Sequence, residues 1–168
     1  MLQSPSVSRA DYDALSPHFV AQARRAYCGV ASATVVLNAL DPAEAEISQD
    51  RFFTPRASTV RSSCRVTLAG MTLAQLAALL RAHDATVELV YTTQVNLATF
   101  RALVRRSVDD SSDFIIVNYD RAALHQRGGG HLSPIVVYHA ESDRVLILDV
   151  AAHRYPRRGF RPPSCGKR

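Results

Sequence analysis

Cys28 heads a run, Cys28-Gly29-Val30-Ala31-Ser32-Ala33, that reads as the opening of a helix. Backbone N–H groups at a helix start favour a thiolate, and the thiolate is the nucleophilic form of cysteine. Gly29 would let a substrate backbone come close. His131 stands between the three glycines at 128–130 and a β-prone run, which places its ring at the rim of a sheet. Asp149 ends a second β-prone run. A thiol activated by a base, with the base oriented by a third polar group, is the general arrangement for covalent acyl transfer. Gln22, six residues before Cys28, has a side-chain amide that can donate to the developing oxyanion. Each residue also has a plainer reading: a buried structural thiol, a hydrogen-bonded strand-end histidine, a turn-capping acid, an exposed glutamine.

These groups need elements to hold them. Residues 1–27 read as an irregular lead-in. The helix opening at Cys28 runs to Leu40, with Val30, Thr34 and Leu37 on one face. It stops at Asp41-Pro42, because proline cannot continue a helix and restricts the residue before it. Residues 43–70 show no regular pattern. Thr72 and Gln75 fit a capping box with Met71 and Leu76 as its staple, and the apolar stripe runs to about His83. Residues 87–91 read as a short strand. Asn96 caps a further helix carrying Leu97, Phe100, Leu103 and Val104 on its apolar side. Residues 114–117 are strongly β-prone, and residues 120–130 form a loop. Residues 135–139 and 144–150 read as a hairpin around Glu141-Ser142-Asp143. That hairpin carries His131 and Asp149 toward the same end of neighbouring strands, and the pairing register decides whether they meet. Helices first and strands later predict an α+β domain, a mainly antiparallel sheet packed on helices.

Composition excludes several classes. The 168 residues are 47% hydrophobic and 21% charged, a single domain able to bury a core rather than a disordered chain. No apolar run approaches the roughly 18 residues a membrane span needs. Residues 1–10 lack the apolar core of a secretion signal, so a cytoplasmic protein without a membrane partner is expected. Cys28, Cys64 and Cys165 are too few and too scattered for a disulfide framework. The net charge of +5 suggests nucleic acid, but six of the 20 basic residues crowd into residues 154–168, where there is no acid. Residues 1–153 hold 14 basic against 15 acidic side chains, with no basic stripe to track phosphates. CxxC and HExxH are absent, so no metal site is expected.

The order Cys…His…Asp, with the last two close in sequence, is the papain-like arrangement. Three separate segments carry a more specific resemblance. Gln22 with Ala26-Tyr27-Cys28-Gly29-Val30-Ala31-Ser32 and Val36-Leu37-Asn38-Ala39-Leu40 resembles the nucleophile segment of phytochelatin synthases. Gly129-Gly130-His131-Leu132-Ser133-Pro134 resembles the family's GGHxSP signature, and Leu146-Ile147-Leu148-Asp149-Val150 with Tyr155-Pro156 its LILDV and YP segment. The likeness is to the short bacterial members.

The resemblance implies a papain-like fold and a ping-pong reaction on glutathione. In it Cys28 attacks the Cys–Gly amide, His131 moves the proton, Asp149 orients the imidazole and Gln22 steadies the oxyanion. Gly29, Gly130, Ser133 and Tyr155 would touch substrate. No cofactor is implied; cadmium or zinc would enter as metal–thiolate substrate. The acyl-enzyme passes its γ-Glu-Cys group to water or to a second glutathione, and the short members favour water. Two departures bear on this. Where the family has an Arg just after the catalytic Asp, this sequence has Ala151-Ala152-His153. Where the family continues through a Trp-bearing helix to a closing RGF strand, Arg158-Gly159-Phe160 follows Pro156 almost at once. The expectation is a catalytic domain over residues 1–156, shortened at its C-terminal end, and a basic irregular tail over 157–168. An open sheet edge could pair with a second copy to give a homodimer. The competing readings are an impaired remnant with a binding role or none, and a peptidase that processes leader peptides.

Overall fold

The computed structural model describes residues 7–44 and 46–151, with the backbone of residues 159–160. Strand β1 (Val7–Ser8) and helix α1 (Ala10–Leu15) lead into a tight helical turn at Ser16–His18. Helices α2 (Cys28–Leu40), α3 (Pro55–Val60), α4 (Ser63–Ala69), α5 (Leu73–Arg81) and α6 (Leu97–Asp109) follow. Strands β2 (Ile116–Asp120), β3 (Gly130–His139), β4 (Arg144–Ile147) and β5 (Gly159–Phe160) complete the order. All strand pairs are antiparallel. The sheet runs β1-β3-β4-β5, and β2 pairs with the other half of β3. The domain is therefore α+β, as expected.

Local rules account for most helix starts. Thr72 and Gln75 form the capping box of α5, and Asn96 accepts the N–H of Thr99 at the head of α6. The lead-in and the 43–70 stretch are more ordered than the sequence pattern suggested. Thr54 caps α3 with Pro55 in its first turn, and Ser62 caps α4. These helices are only six and seven residues long, too short to show an apolar period, so only their caps announce them. Residues 87–91 are not a strand; they run unpaired between α5 and α6. The expected irregular tail holds one short strand, β5, which lies on the β4 edge with Gly159 opposite Leu146.

Helix α2 is buried all round rather than along one stripe. Val30, Ala33 and Leu37 pack with Leu76 and Leu79 of α5, Ala57 of α3 and Val66 of α4. Val35 and Val36 pack on Leu15 of α1 and Val136 and Leu146 of the sheet. On the opposite sheet face Val104 and Val108 of α6 cover Ile135, Tyr138, Val145 and Ile147. The sheet is thus held between α2 and α6, and the nucleophile helix is its central support. Burial of each such Val, Leu or Ile side chain is worth about 1.5–3 kcal/mol. A register shift between Ile135 and Val137 in the β3–β4 pairing puts Val136 and Val137 in one cluster.

Candidate active site

The head of α2 meets the start of β3. Ser32, one turn below Cys28, donates its buried hydroxyl to the carbonyl of Leu132 at 2.9 Å. That single bond joins residues 100 apart in sequence and sets the helix against the residue next to His131. The N-cap position of α2 is Tyr27, whose side chain caps nothing. The first N–H groups of a helix have no partner inside it, so this end keeps donors for an anion. Helices α3, α4, α5 and α6 all carry side-chain caps.

The structure brings Cys28, His131 and Asp149 together. His131 Nε2 donates to Asp149 Oδ1 at 2.8 Å, both residues being about 5% exposed. With Nε2 so engaged, Nδ1 is the nitrogen left for Cys28, whose thiol lies near enough to the ring for the two to govern each other's protonation. The register makes this possible. Ile135 opposes Ile147, and Leu148 N–H donates to Pro134 O at 2.8 Å, after which the chain leaves the strand at Asp149. Val150 is tied on both sides, its N–H to Ser133 Oγ at 3.4 Å and its carbonyl to the Gln22 N–H at 2.9 Å.

The electrostatics follow from these contacts. Burial opposes ionising Cys28, but hydrogen bonds from His131 and from the N–H groups of Leu132 and Gly29 outweigh it and hold the thiol below its ordinary value. Burial likewise disfavours a charged His131, and the bonds to Asp149 and Cys28 reverse that and raise it. Asp149 resists burial through His131, Arg121 and the Ala151 N–H, and its carboxyl is pulled down to about 2. The arrangement favours a thiolate–imidazolium pair beside a carboxylate.

The remaining sequence-derived residues divide. Gln22 lines the cavity above Cys28, but both its amide N–H groups are taken, by the carbonyls of Arg24 at 2.9 Å and Arg25 at 2.8 Å. Serving an oxyanion requires exchanging one of them. Gly130 lines the cavity. At Gly29 a Cβ would lie 2.6 Å from Met71 Sδ and 3.0 Å from Leu132 Cδ1. Its bareness serves packing. Ser133 is fully buried and holds Val150; a direct substrate contact is closed to it. Tyr155 lies outside the described residues.

Sequence reasoning missed the partners behind the triad. Arg121, 5% exposed, follows β2 and donates through Nη2 to both Asp149 oxygens. The Tyr119 ring packs edge-on against His131 with centroids 5.6 Å apart. An Arg at a strand end looks the same in sequence whether it faces water or a buried acid. The cavity over Cys28 has a volume of about 630 Å³ and carries Arg24, Arg25, Arg121 and Arg127 on its walls, with no acid among the described lining residues. Among the described residues no three His, Cys, Asp or Glu side chains come together to hold a metal, and no helix is long and apolar enough to cross a membrane.

A cysteine at the head of a buried helix, facing a histidine–carboxylate pair on an antiparallel sheet, defines a papain-like thiol domain. The phytochelatin synthase family model matches residues 1–158, and the chain belongs to that family. It is 37% identical over 148 residues to glutathione gamma-glutamylcysteinyltransferase 3 of Lotus japonicus, covering 84% of this chain and 30% of that protein. It is 36% identical to glutathione gamma-glutamylcysteinyltransferase 1 of Arabidopsis thaliana, with the same coverage, and 26% identical to the Schizosaccharomyces pombe enzyme. The chain spans about a third of the length of the curated relatives it matches.

Proposed function

We propose that this domain transfers the γ-glutamylcysteinyl group of glutathione, and that water is its preferred acceptor. The observation that carries the reading is the Cys28–His131–Asp149 chain on the wall of a cavity lined with arginine. The relatives' names supply the substrate class. Glutathione bears two carboxylates against one ammonium, and a wall of cations suits its net negative charge.

In this scheme the Cys28 thiolate adds to the Cys–Gly carbonyl carbon. The oxyanion points to the uncapped head of α2, with Gln22 able to join once it releases a carbonyl. His131 gives its proton to the departing glycine nitrogen, and the C–N bond breaks to leave a γ-Glu-Cys thioester on Cys28. His131, now neutral, takes a proton from the attacking water, and γ-glutamylcysteine leaves as the thiolate reforms. Asp149 stays ionised throughout and keeps the ring turned toward the sulfur. Water is favoured because the stretch after Asp149, in which the resemblance implies an Arg, is Ala151-Ala152-His153 here, and Ala151 lines the cavity, so a second glutathione has one cation fewer to hold it. A thiol nucleophile of this kind also calls for a reducing compartment, such as the cytoplasm.

Mass spectrometry of purified protein with glutathione tests this under reducing conditions. Glycine and γ-glutamylcysteine in equal amounts, lost on Cys28→Ala, support it. A folded protein that releases no glycine overturns it, and γ-Glu-Cys oligomers as the main product overturn the preference for water.

A further inference from the structure

Asp149 has two cationic neighbours, not one. His131 approaches Oδ1 at 2.8 Å, and Arg121 Nη2 lies 2.9 Å from Oδ1 and 3.0 Å from Oδ2. The same Arg121 is the centre of the glycine loop. Its N–H donates to Gly129 O at 3.2 Å, and its carbonyl accepts the Gln126 N–H at 3.0 Å. Its Nη1 donates to the Gln126 side-chain oxygen. Gly128, at φ +129°, passes so close that a Cβ would lie 3.1 Å from Arg121 Cδ. Residues 126–129 are folded around this one side chain, and its far end grips the carboxylate.

We infer that Arg121 is the positioning residue of this site: it holds the Asp149 carboxylate against His131 and ties the fold of the glycine loop to that hold. The inference rests on the thiol acyl-transfer reading above. The charged and titratable groups around the carboxylate are His131 from β3, Arg121 and Tyr119 from β2 and its following turn, and Cys28 from α2, with Arg127 and Arg24 on the cavity walls. A guanidinium about 3 Å from the acid competes with the imidazolium for the same negative charge. Its removal makes both His131 and Cys28 hold protons more tightly. A lysine keeps the charge but cannot span the carboxylate and Gln126 together.

The test compares Arg121→Met, Arg121→Lys and Gln126→Ala with the parent protein across pH 5–10. It follows glycine release from glutathione and, separately, alkylation of Cys28 by iodoacetamide, with folding checked by circular dichroism. Arg121→Met should move both limbs of the rate profile up by about one pH unit and lower kcat about a hundredfold, with little change in KM. Arg121→Lys should keep the profile's position and lose about tenfold in kcat. Gln126→Ala should lower kcat several-fold with the profile unmoved. A purely structural role would lower the amount of folded protein without shifting the profile. Unchanged kcat in folded Arg121→Lys, or an unmoved profile in folded Arg121→Met, overturns the inference; where the Met variant does not fold, the Lys and Ala variants decide. Alkylation reads the same shift without glutathione. A shifted alkylation profile in a parent that releases no glycine therefore supports Arg121's role and defeats only the substrate assignment.

Discussion

The Met71 sulfur occupies the space that a side chain at residue 29 would need: a Cβ on Gly29 would lie 2.6 Å from it. Met71 is also a wall of the cavity over Cys28, so the packing of α2 and the shape of the site are set by the same contact. Gly29→Ala brings two opposing effects. Alanine in a helix gains about 1 kcal/mol over glycine, and overpacking costs about 1–3 kcal/mol. Met71 and Leu132 are both met at flexible side-chain atoms, so the cost falls toward the lower end. We expect a net loss of about 1 kcal/mol in urea unfolding and a several-fold lower kcat/KM as Met71 is pushed into the cavity. A more stable protein with full activity would contradict the close packing.

The thiolate–imidazolium pair makes a pH prediction that needs no substrate. Cys28 is held below its ordinary value by the bonds from His131 and two backbone N–H groups, against the opposing effect of burial. Its alkylation by iodoacetamide, in a background lacking the other two thiols, should inflect below the range of an ordinary cysteine. His131→Asn should move that inflection up by one unit or more. For turnover, the rate should fall on acidification as the sulfur takes a proton. It should fall again at high pH as His131, itself raised by Asp149 and Cys28, loses the proton it owes the leaving group.

Asp11 carries a stability prediction. Its side chain is fully buried; among the described residues Oδ1 has no partner and Oδ2 accepts from Ser107 at 3.1 Å. Burial raises its carboxyl from 3.8 to about 8, aided by Asp113, Asp110 and Asp109 nearby and opposed by the Ser107 bond. The folded protein therefore keeps a proton that the unfolded chain releases near pH 4. Its stability contribution is full below that value and is lost as pH rises toward 8. Asp11→Asn should leave stability at pH 4 unchanged and raise it at pH 8 by several kcal/mol. Equal stability of the two proteins at both pH values would refute the assignment.

Arg24 and Arg127 test the cavity's preference for anions. The Arg24 guanidinium is anchored by Thr67 at 3.3 Å and lies 5.3 Å from the centroid of the Tyr27 ring, so it can meet a carboxylate with little ordering cost. Arg24→Gln and Arg127→Gln should each raise KM for glutathione about three- to tenfold with kcat nearly retained, and the effect should shrink at high salt. A fall in kcat at constant KM would place these residues in the chemistry instead.

How much of this was legible beforehand depended on the range of the interaction responsible. Cys28 heading a helix that ends at Asp41-Pro42, the Thr72–Gln75 capping box, the Asn96 cap and the hairpin at 141–143 all follow from residues within a few positions of one another. Short-range sterics and local hydrogen bonds decide them, so they can be read from order alone. The motifs around Cys28, His131 and Asp149 likewise announced the family.

The tertiary structure decided which side chains meet. Whether Asp149 reached His131 depended on strand register and on where the chain leaves β4, since one residue of slip turns a side chain to the other face. Gly29 makes room for Met71, and Ser133 holds Val150, because segments distant in sequence fill the space beside them. Arg121 grips Asp149 from 28 residues away, and Ser32 pins Leu132 from 100. An arginine or a serine has the same letter on the surface and in the core. Its role is set by the partner that folding brings within 3 Å, and that partner is encoded nowhere near it.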